Sequence, residues 1–115
     1  MKKTKGGLQI EIRKAGDNEY YFLFRLPNGG IFISKFFEDI LEAISAAEKT
    51  KRSAMEESCY QGKKETTNQF SFIFNIKQNA PIGQSSIYKD KPSMEAGIHY
   101  MKNSLGEAEI VDLTT

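Results

Sequence analysis

Side chains able to do unaided chemistry are scarce in this sequence. It holds one histidine, His99, and one cysteine, Cys59. A thiol beside an imidazole can act as a nucleophile pair, so a small enzyme using Cys59 or His99 is one reading to test. A zinc site would need at least two carboxylates to converge on the same two residues. Local context favours plainer roles. His99 lies off the apolar stripe Met94, Ile98 and Met101, which predicts an exposed helix position. Cys59 stands beside Tyr60 in a strand-like stretch, where a lone cysteine usually fills space as a small apolar group. Asn28-Gly29-Gly30 lacks the spacing of a phosphate loop and leads into a strand rather than a helix, so a turn accounts for it. Glu38, Asp39 and Glu42 suit the first turn of a helix. Glu56 and Glu57 are neighbours that would point to opposite faces of a strand. No catalytic residue, cofactor-binding residue or metal ligand is therefore assigned, and no cofactor is expected.

Charge and composition narrow the field further. Sixteen basic residues face fifteen acidic ones over 115 residues, so no large field attracts nucleic acid or anionic lipid. Basic residues cluster locally at Lys2-Lys3-Lys5, Lys49-Lys51-Arg52 and Lys63-Lys64. A frayed terminus, a helix C-terminus and a solvated turn or edge strand explain them. The single cysteine cannot pair within the chain, which fits a reducing compartment. The basic start, residues 1–7, is not followed by the apolar stretch of a signal peptide. No run approaches the roughly 18 apolar residues of a membrane span. A cytoplasmic protein without membrane contact is expected, folded as one compact domain.

The elements that must carry any site are written twice. Asn18, Phe22 and Phe24 recur as Asn68, Phe72 and Phe74; after a one-residue insertion, Asn28, Ile31, Ser34 and Asp39 recur as Asn79, Ile82, Ser85 and Asp90. Such a repeat marks a duplicated supersecondary unit. In the first copy, Leu8 to Arg13 alternates apolar and polar residues, Gly16-Asp17-Asn18 can turn, and Tyr20 to Leu26 reads as a central strand. Pro27-Asn28-Gly29-Gly30 breaks it before the strand Ile31 to Ser34. Phe37, Ile40, Leu41, Ile44 and Ala47 then form a helical stripe, and Met55 to Tyr60 is expected to close the unit as a strand. The second copy repeats the plan with Phe70 to Ile76, an Asn79-Ala80-Pro81 turn, and Ile82 to Tyr88. A helix capped at Asp90 or Ser93 follows, carrying the stripe Met94, Ile98 and Met101. Residues 108–113 supply the closing strand. The chain thus divides into a flexible basic N-terminus over 1–7, a first unit over 8–61 and a second over 62–115. The expected fold is α+β: two tandem β3-α-β units forming one antiparallel sheet with two helices on one face.

The same residues resemble the YegP-like family of small, mostly uncharacterised prokaryotic proteins. The likeness rests on Phe72-Ile73-Phe74-Asn75-Ile76, Asn79, Ile82-Gly83-Gln84-Ser85-Ser86, Tyr88, Glu95-Ala96-Gly97-Ile98 and Lys102-Asn103. The first copy shares Phe22 to Leu26, Asn28-Gly29 and Ile31 to Ser34, but has Ala46-Ala47 at the Gly-Ile position. The resemblance implies β3-α-β units with exchanged C-terminal strands: residues 108–113 paired within the first unit's sheet and residues 54–60 within the second's. It implies no catalytic residue or cofactor.

The face of the sheet turned away from the helices is the one surface that departs from the ordinary. Alternation sends Tyr21, Leu23, Arg25, Ile73 and Asn75 there, with Phe32 joining them in one register. A fully solvated antiparallel face would be more polar. The leading expectation is a non-enzymatic binding or interaction module with Tyr21, Leu23, Arg25, Phe32, Ile73 and Asn75 as its candidate face. The partner would be another protein or a second copy of the chain. A weak nucleic-acid binder is the runner-up, stacking bases on Tyr21 with charge from Lys49, Lys51, Arg52, Lys63 and Lys64.

Overall fold

The computed structural model describes residues 7–77 and 80–115. The Lys2-Lys3-Lys5 cluster and the turn residue Asn79 lie outside the described residues. The strands are β1 (Gln9–Gly16), β2 (Glu19–Arg25), β3 (Ile31–Ser34), β4 (Tyr60–Thr66), β5 (Gln69–Lys77), β6 (Ala80–Ser85) and β7 (Glu109–Asp112). The helix α1 (Ile40–Ser53) follows β3, and α2 (Lys91–Ser104) follows β6. All seven strands join one sheet in the order β4-β5-β6-β3-β2-β1-β7.

The sheet is mixed rather than wholly antiparallel. Its pairs are antiparallel from β4 through to β1, but β7 runs parallel to β1, Gln9 opposite Glu109 and Ile12 opposite Asp112. A parallel neighbour needs a crossover connection, and α2 supplies it by carrying the chain over the sheet.

Local chemistry sets the turns. Asn18 and Asn28 adopt φ of 60° and 63°, and Gly29 adopts 82°, the left-handed region that asparagine and glycine tolerate. Asp39 begins α1 by accepting a 2.9 Å hydrogen bond from the Leu41 amide. Asp90 begins α2 in the same way, from the Ser93 amide at 2.8 Å. Ser34 and Ser85 play matching parts at the ends of β3 and β6. Each hydroxyl accepts from a buried amide, Phe22 or Phe72, at 2.9 Å. Each then donates to the next residue's carbonyl at 2.8 Å.

The core lies between the helices and one face of the sheet. Ile10, Ile12, Phe22, Phe24, Phe32, Phe72 and Phe74 are almost wholly buried there with Ala43, Ala47, Met94 and Met101. Burying each such phenylalanine contributes about 2–3 kcal/mol. Phe32 sits at the centre, 6.1 Å from both Phe72 and Phe74 and 6.4 Å from Phe22. Tyr100 of α2 stacks on Phe24 at 6.0 Å.

Two expectations are corrected by the packing around α1. Phe37 does not enter the helix, because its backbone bridges Tyr20 through hydrogen bonds of 2.7 and 2.8 Å. The buried face is Ala43, Ala46, Ala47 and Thr50, while Leu41 is 70% exposed. Small residues let the helix settle closely onto a floor of phenylalanines, which a leucine would hold off. A third correction concerns Met55 to Tyr60. Glu57–Cys59 forms a 3-10 turn, and the strand starts at Tyr60 and runs on to Thr66 as the sheet's edge. Tyr60 pairs with Phe74 and Lys64 with Phe70, so Lys63-Lys64 belongs to an edge strand.

Candidate functional site

The side chains opposite the helices form a continuous surface. Register lines up Gln61, Ile73, Gln84, Ile33, Leu23, Glu11 and Val111 across the sheet. Tyr21 is half-buried here and meets Phe36 edge-on, with ring centroids 5.8 Å apart. Phe36 is 59% exposed and Ile87 is 52% exposed. Each precedes a bridge residue, Phe37 or Tyr88, whose partner belongs to the helix-facing set. Alternation therefore turns Phe36 and Ile87 to the open face. Reasoning along the sequence missed both, although the bridge residue after each carried the signal.

The expected residues divide. Tyr21, Ile73 and Asn75 lie on the open face and are half-buried. Leu23 is there too but almost covered, at 7% exposure. Phe32 is not: it pairs with Phe24, points to the helices and is fully buried. Register decides this, because a shift of one residue exchanges the faces.

Arg25 is committed within the protein. Its Nε donates to Glu11 Oε2 at 2.9 Å and its Nη2 to Oε1 at 3.3 Å, while Arg13 holds Oε1 at 2.8 Å. The Glu11 side chain is only 8% exposed, so it depends on these partners, whereas that of Arg25 is 62% exposed. Burial alone would raise the Glu11 carboxyl; hydrogen bonds and charge from Arg25 and Arg13 outweigh it and hold the group below its usual value. The arrangement fixes an arginine against the open face, with its outer side in solvent.

Nucleophilic chemistry finds little support. Cys59 is buried, and burial with the nearby Glu56 charge pushes its thiol up, the reverse of an activated thiolate. His99 is exposed on α2, where the Asn103 amide donates to its carbonyl at 2.8 Å. Among the described residues no hydrogen bond joins Cys59 to His99, and no cluster of three or more His, Cys, Asp or Glu side chains could hold a metal. Lys49, Lys51 and Arg52 occupy the later turns of α1, apart from Lys63 and Lys64 on the β4 edge. Among the described residues no helix is long and apolar enough to cross a membrane.

Known proteins share this architecture. The solution structure of yegP from E. coli, a protein of unknown function, superimposes with a TM-score of 0.81 at 24% identity, over 94% of each chain. That of the UPF0339 protein SO3888 from Shewanella oneidensis gives 0.83 at 19% identity, over 94% of this chain and 92% of the other. At these identities the likeness shows the fold alone. No family model matches the chain. In sequence, the UPF0339 protein PA0329 of Pseudomonas aeruginosa is 23% identical over 105 residues, 90% of this chain and 96% of that protein. YegP of Yersinia pestis is 31% identical over 106 residues, covering 90% of this chain and 94% of that protein. With that identity over nine-tenths of its length, the chain belongs to the UPF0339 family that includes YegP.

Proposed function

We propose that this protein is a non-enzymatic interaction module that binds a protein partner across the open face of its sheet. One observation carries the reading: Phe36 and Ile87, 59% and 52% exposed, stand on the face that neither helix covers. Tyr21, Ile33 and Ile73 lie between or beside them, with the anchored Arg25 near one margin. Exposed aromatic and aliphatic groups beside an arginine are the composition of interface hot spots. The unpaired Cys59 supports a place in the cytoplasm.

The scaffold is proposed to be a tandem duplication with its last strand exchanged between units. Matching caps at Asp39 and Asp90, matching hydroxyls at Ser34 and Ser85, and matching bridges at Phe37 and Tyr88 support this. The pairing of β7 with β1 supports the exchange. A division between 61 and 62 would cut through β4, so the turn over 54–59 is the better unit boundary.

The variant Phe36→Ser/Ile87→Ser tests the functional reading, because both side chains are exposed and their loss leaves the core intact. Sedimentation over a concentration series shows whether the partner is a second copy. Immobilised wild-type protein should retain a partner that the variant releases. Equal retention, with no self-association in either protein, refutes the open-face reading.

A further inference from the structure

The strand order β4-β5-β6-β3-β2-β1-β7 is lopsided about its middle. Counting outwards from β3 and β6, β2 answers β5 and β1 answers β4. On one side β7 then extends the sheet; on the other, among the described residues, nothing does. β7 is held along β1 by Glu109 N–H to the Leu8 carbonyl at 3.0 Å and Leu113 N–H to the Ile12 carbonyl at 2.9 Å. Its Ile110, opposite Ile10, packs against the core. Among the described residues the corresponding margin of β4 is bare, with every residue after Tyr60 exposed. The reason lies in the connection. Residues 54–59 turn and lead straight into β4, so the first half of the chain has no strand left to fill that place.

What adjoins the bare margin is a groove. Between β4 and α2 lies a cleft of about 870 Å³. Tyr60, Gly62, Met94 and Ile98 give it an apolar floor, and Lys63, Lys64, Lys91 and Lys102 surround it. Lys102 pairs with Glu57 at 2.8 Å and Lys91 approaches Glu95 at 3.9 Å. Among the described residues Lys63 and Lys64 form no ion pair. Lysines on an edge strand discourage pairing with another basic edge, and for the same reason they select an acidic one.

We propose that this groove seats an extended acidic segment of a partner protein, which adds to β4 as a parallel strand in the register of β7 on β1. The proposal rests on the two-unit reading and concerns the free edge of β4, not the exposed Phe36 and Ile87 that carry the open-face reading. Carried across to β4, that register places apolar residues of the partner opposite Tyr60 and Gly62, beneath Ile98 and Met94. Acidic residues fall opposite Lys63 and Lys64. β7 itself meets only the first of these positions, with Ile110 at the place opposite Tyr60; its Asp112 would face Gly62, and Leu113 and Thr114 would face Lys63 and Lys64. A second copy's β7 is the weaker occupant, because it already fills its own seat, where its covalent tether keeps its effective concentration high. Backbone hydrogen bonds would supply affinity and the alternate side-chain pockets selectivity.

A synthetic peptide of residues 106–115 carrying Asp112→Val, Leu113→Glu and Thr114→Glu, which sets an apolar residue opposite Gly62 and acidic ones opposite Lys63 and Lys64, is labelled with fluorescein as the probe. It should bind saturably by fluorescence polarisation and shift the amide resonances of Gly62, Lys64, Met94 and Ile98. Lys63→Glu/Lys64→Glu, confined to exposed positions, should weaken binding about tenfold or more. Methylating alternate peptide nitrogens should abolish it, since strand addition needs those donors. Phe36→Ser/Ile87→Ser should leave it unchanged, which separates failure here from failure of the open-face reading. The proposal is overturned by absence of saturable binding, by shifts confined to β1 and β7, or by equal binding of the methylated peptide. It is equally overturned if the wild-type protein proves to be a dimer joined through β4.

Discussion

Exchanging Tyr88 and Gly97 for their counterparts in the first half of the chain should reveal a strong coupling between a strand-end ring and a helix glycine. A Cβ at Gly97 would collide with the Tyr88 hydroxyl and lie 2.9 Å from Cζ. Overpacking of that kind costs about 1–3 kcal/mol, against a helix-propensity gain for alanine of about 1 kcal/mol. Gly97→Ala should thus be neutral to destabilising by about 2 kcal/mol. Tyr88 Oη is buried without a hydrogen-bond partner among the described residues, so Tyr88→Phe should stabilise by about 1 kcal/mol. The first half already carries the relieved pair, Phe37 with Ala46. With the hydroxyl gone the worse collision is removed while the 2.9 Å approach to Cζ remains, so Gly97→Ala should cost less than in the wild type, a coupling of about 1 kcal/mol. Urea unfolding followed by far-ultraviolet circular dichroism suits a chain with no tryptophan, and an unchanged m-value validates the comparison. Additivity within about 0.5 kcal/mol would refute the steric account. Destabilisation by Tyr88→Phe would show that the hydroxyl is satisfied in solution.

Two further expectations concern stability. Ser34→Ala and Ser85→Ala each leave a buried amide without its acceptor, Phe22 or Phe72, and should cost about 1–3 kcal/mol apiece. Denaturant midpoints that move for one serine alone would break the equivalence of the two halves. Glu11, depressed below its usual 4.5, contributes stability above its unfolded pKa that is lost as pH falls through the folded one. Wild-type stability should therefore drop between about pH 5 and 3, with Glu11→Gln losing part of that slope; parallel pH profiles for the two proteins would refute the linkage.

Much of this fold was legible because it is locally encoded. Alternation placed Phe22, Phe24, Phe72 and Phe74 on one face. Asn18 and Asn28 announced backbone turns that other residues resist. Asp39 and Asp90 announced helix starts. The candidate face was legible only in part, and Phe32, Leu23 and Leu41 show why. Periodicity says which residues share a side; it does not say which side meets a neighbour. The apolar stripe through Leu41 was a sound helical pattern, yet the sheet accepted Ala43, Ala46 and Ala47 because they allow closer approach.

By itself, then, the sequence determined strands, turns and capped helices, with Phe22, Phe24, Phe72 and Phe74 on one face. Those properties follow from residue type and near-neighbour spacing. Only the tertiary structure decided that Glu11 binds Arg25, that Phe36 and Ile87 stand on the open face, and that β7 lies parallel to β1 while β4 forms the opposite edge of the sheet. Each depends on contacts between residues far apart in the chain, where register and the reach of a connection, rather than local preference, choose the partner.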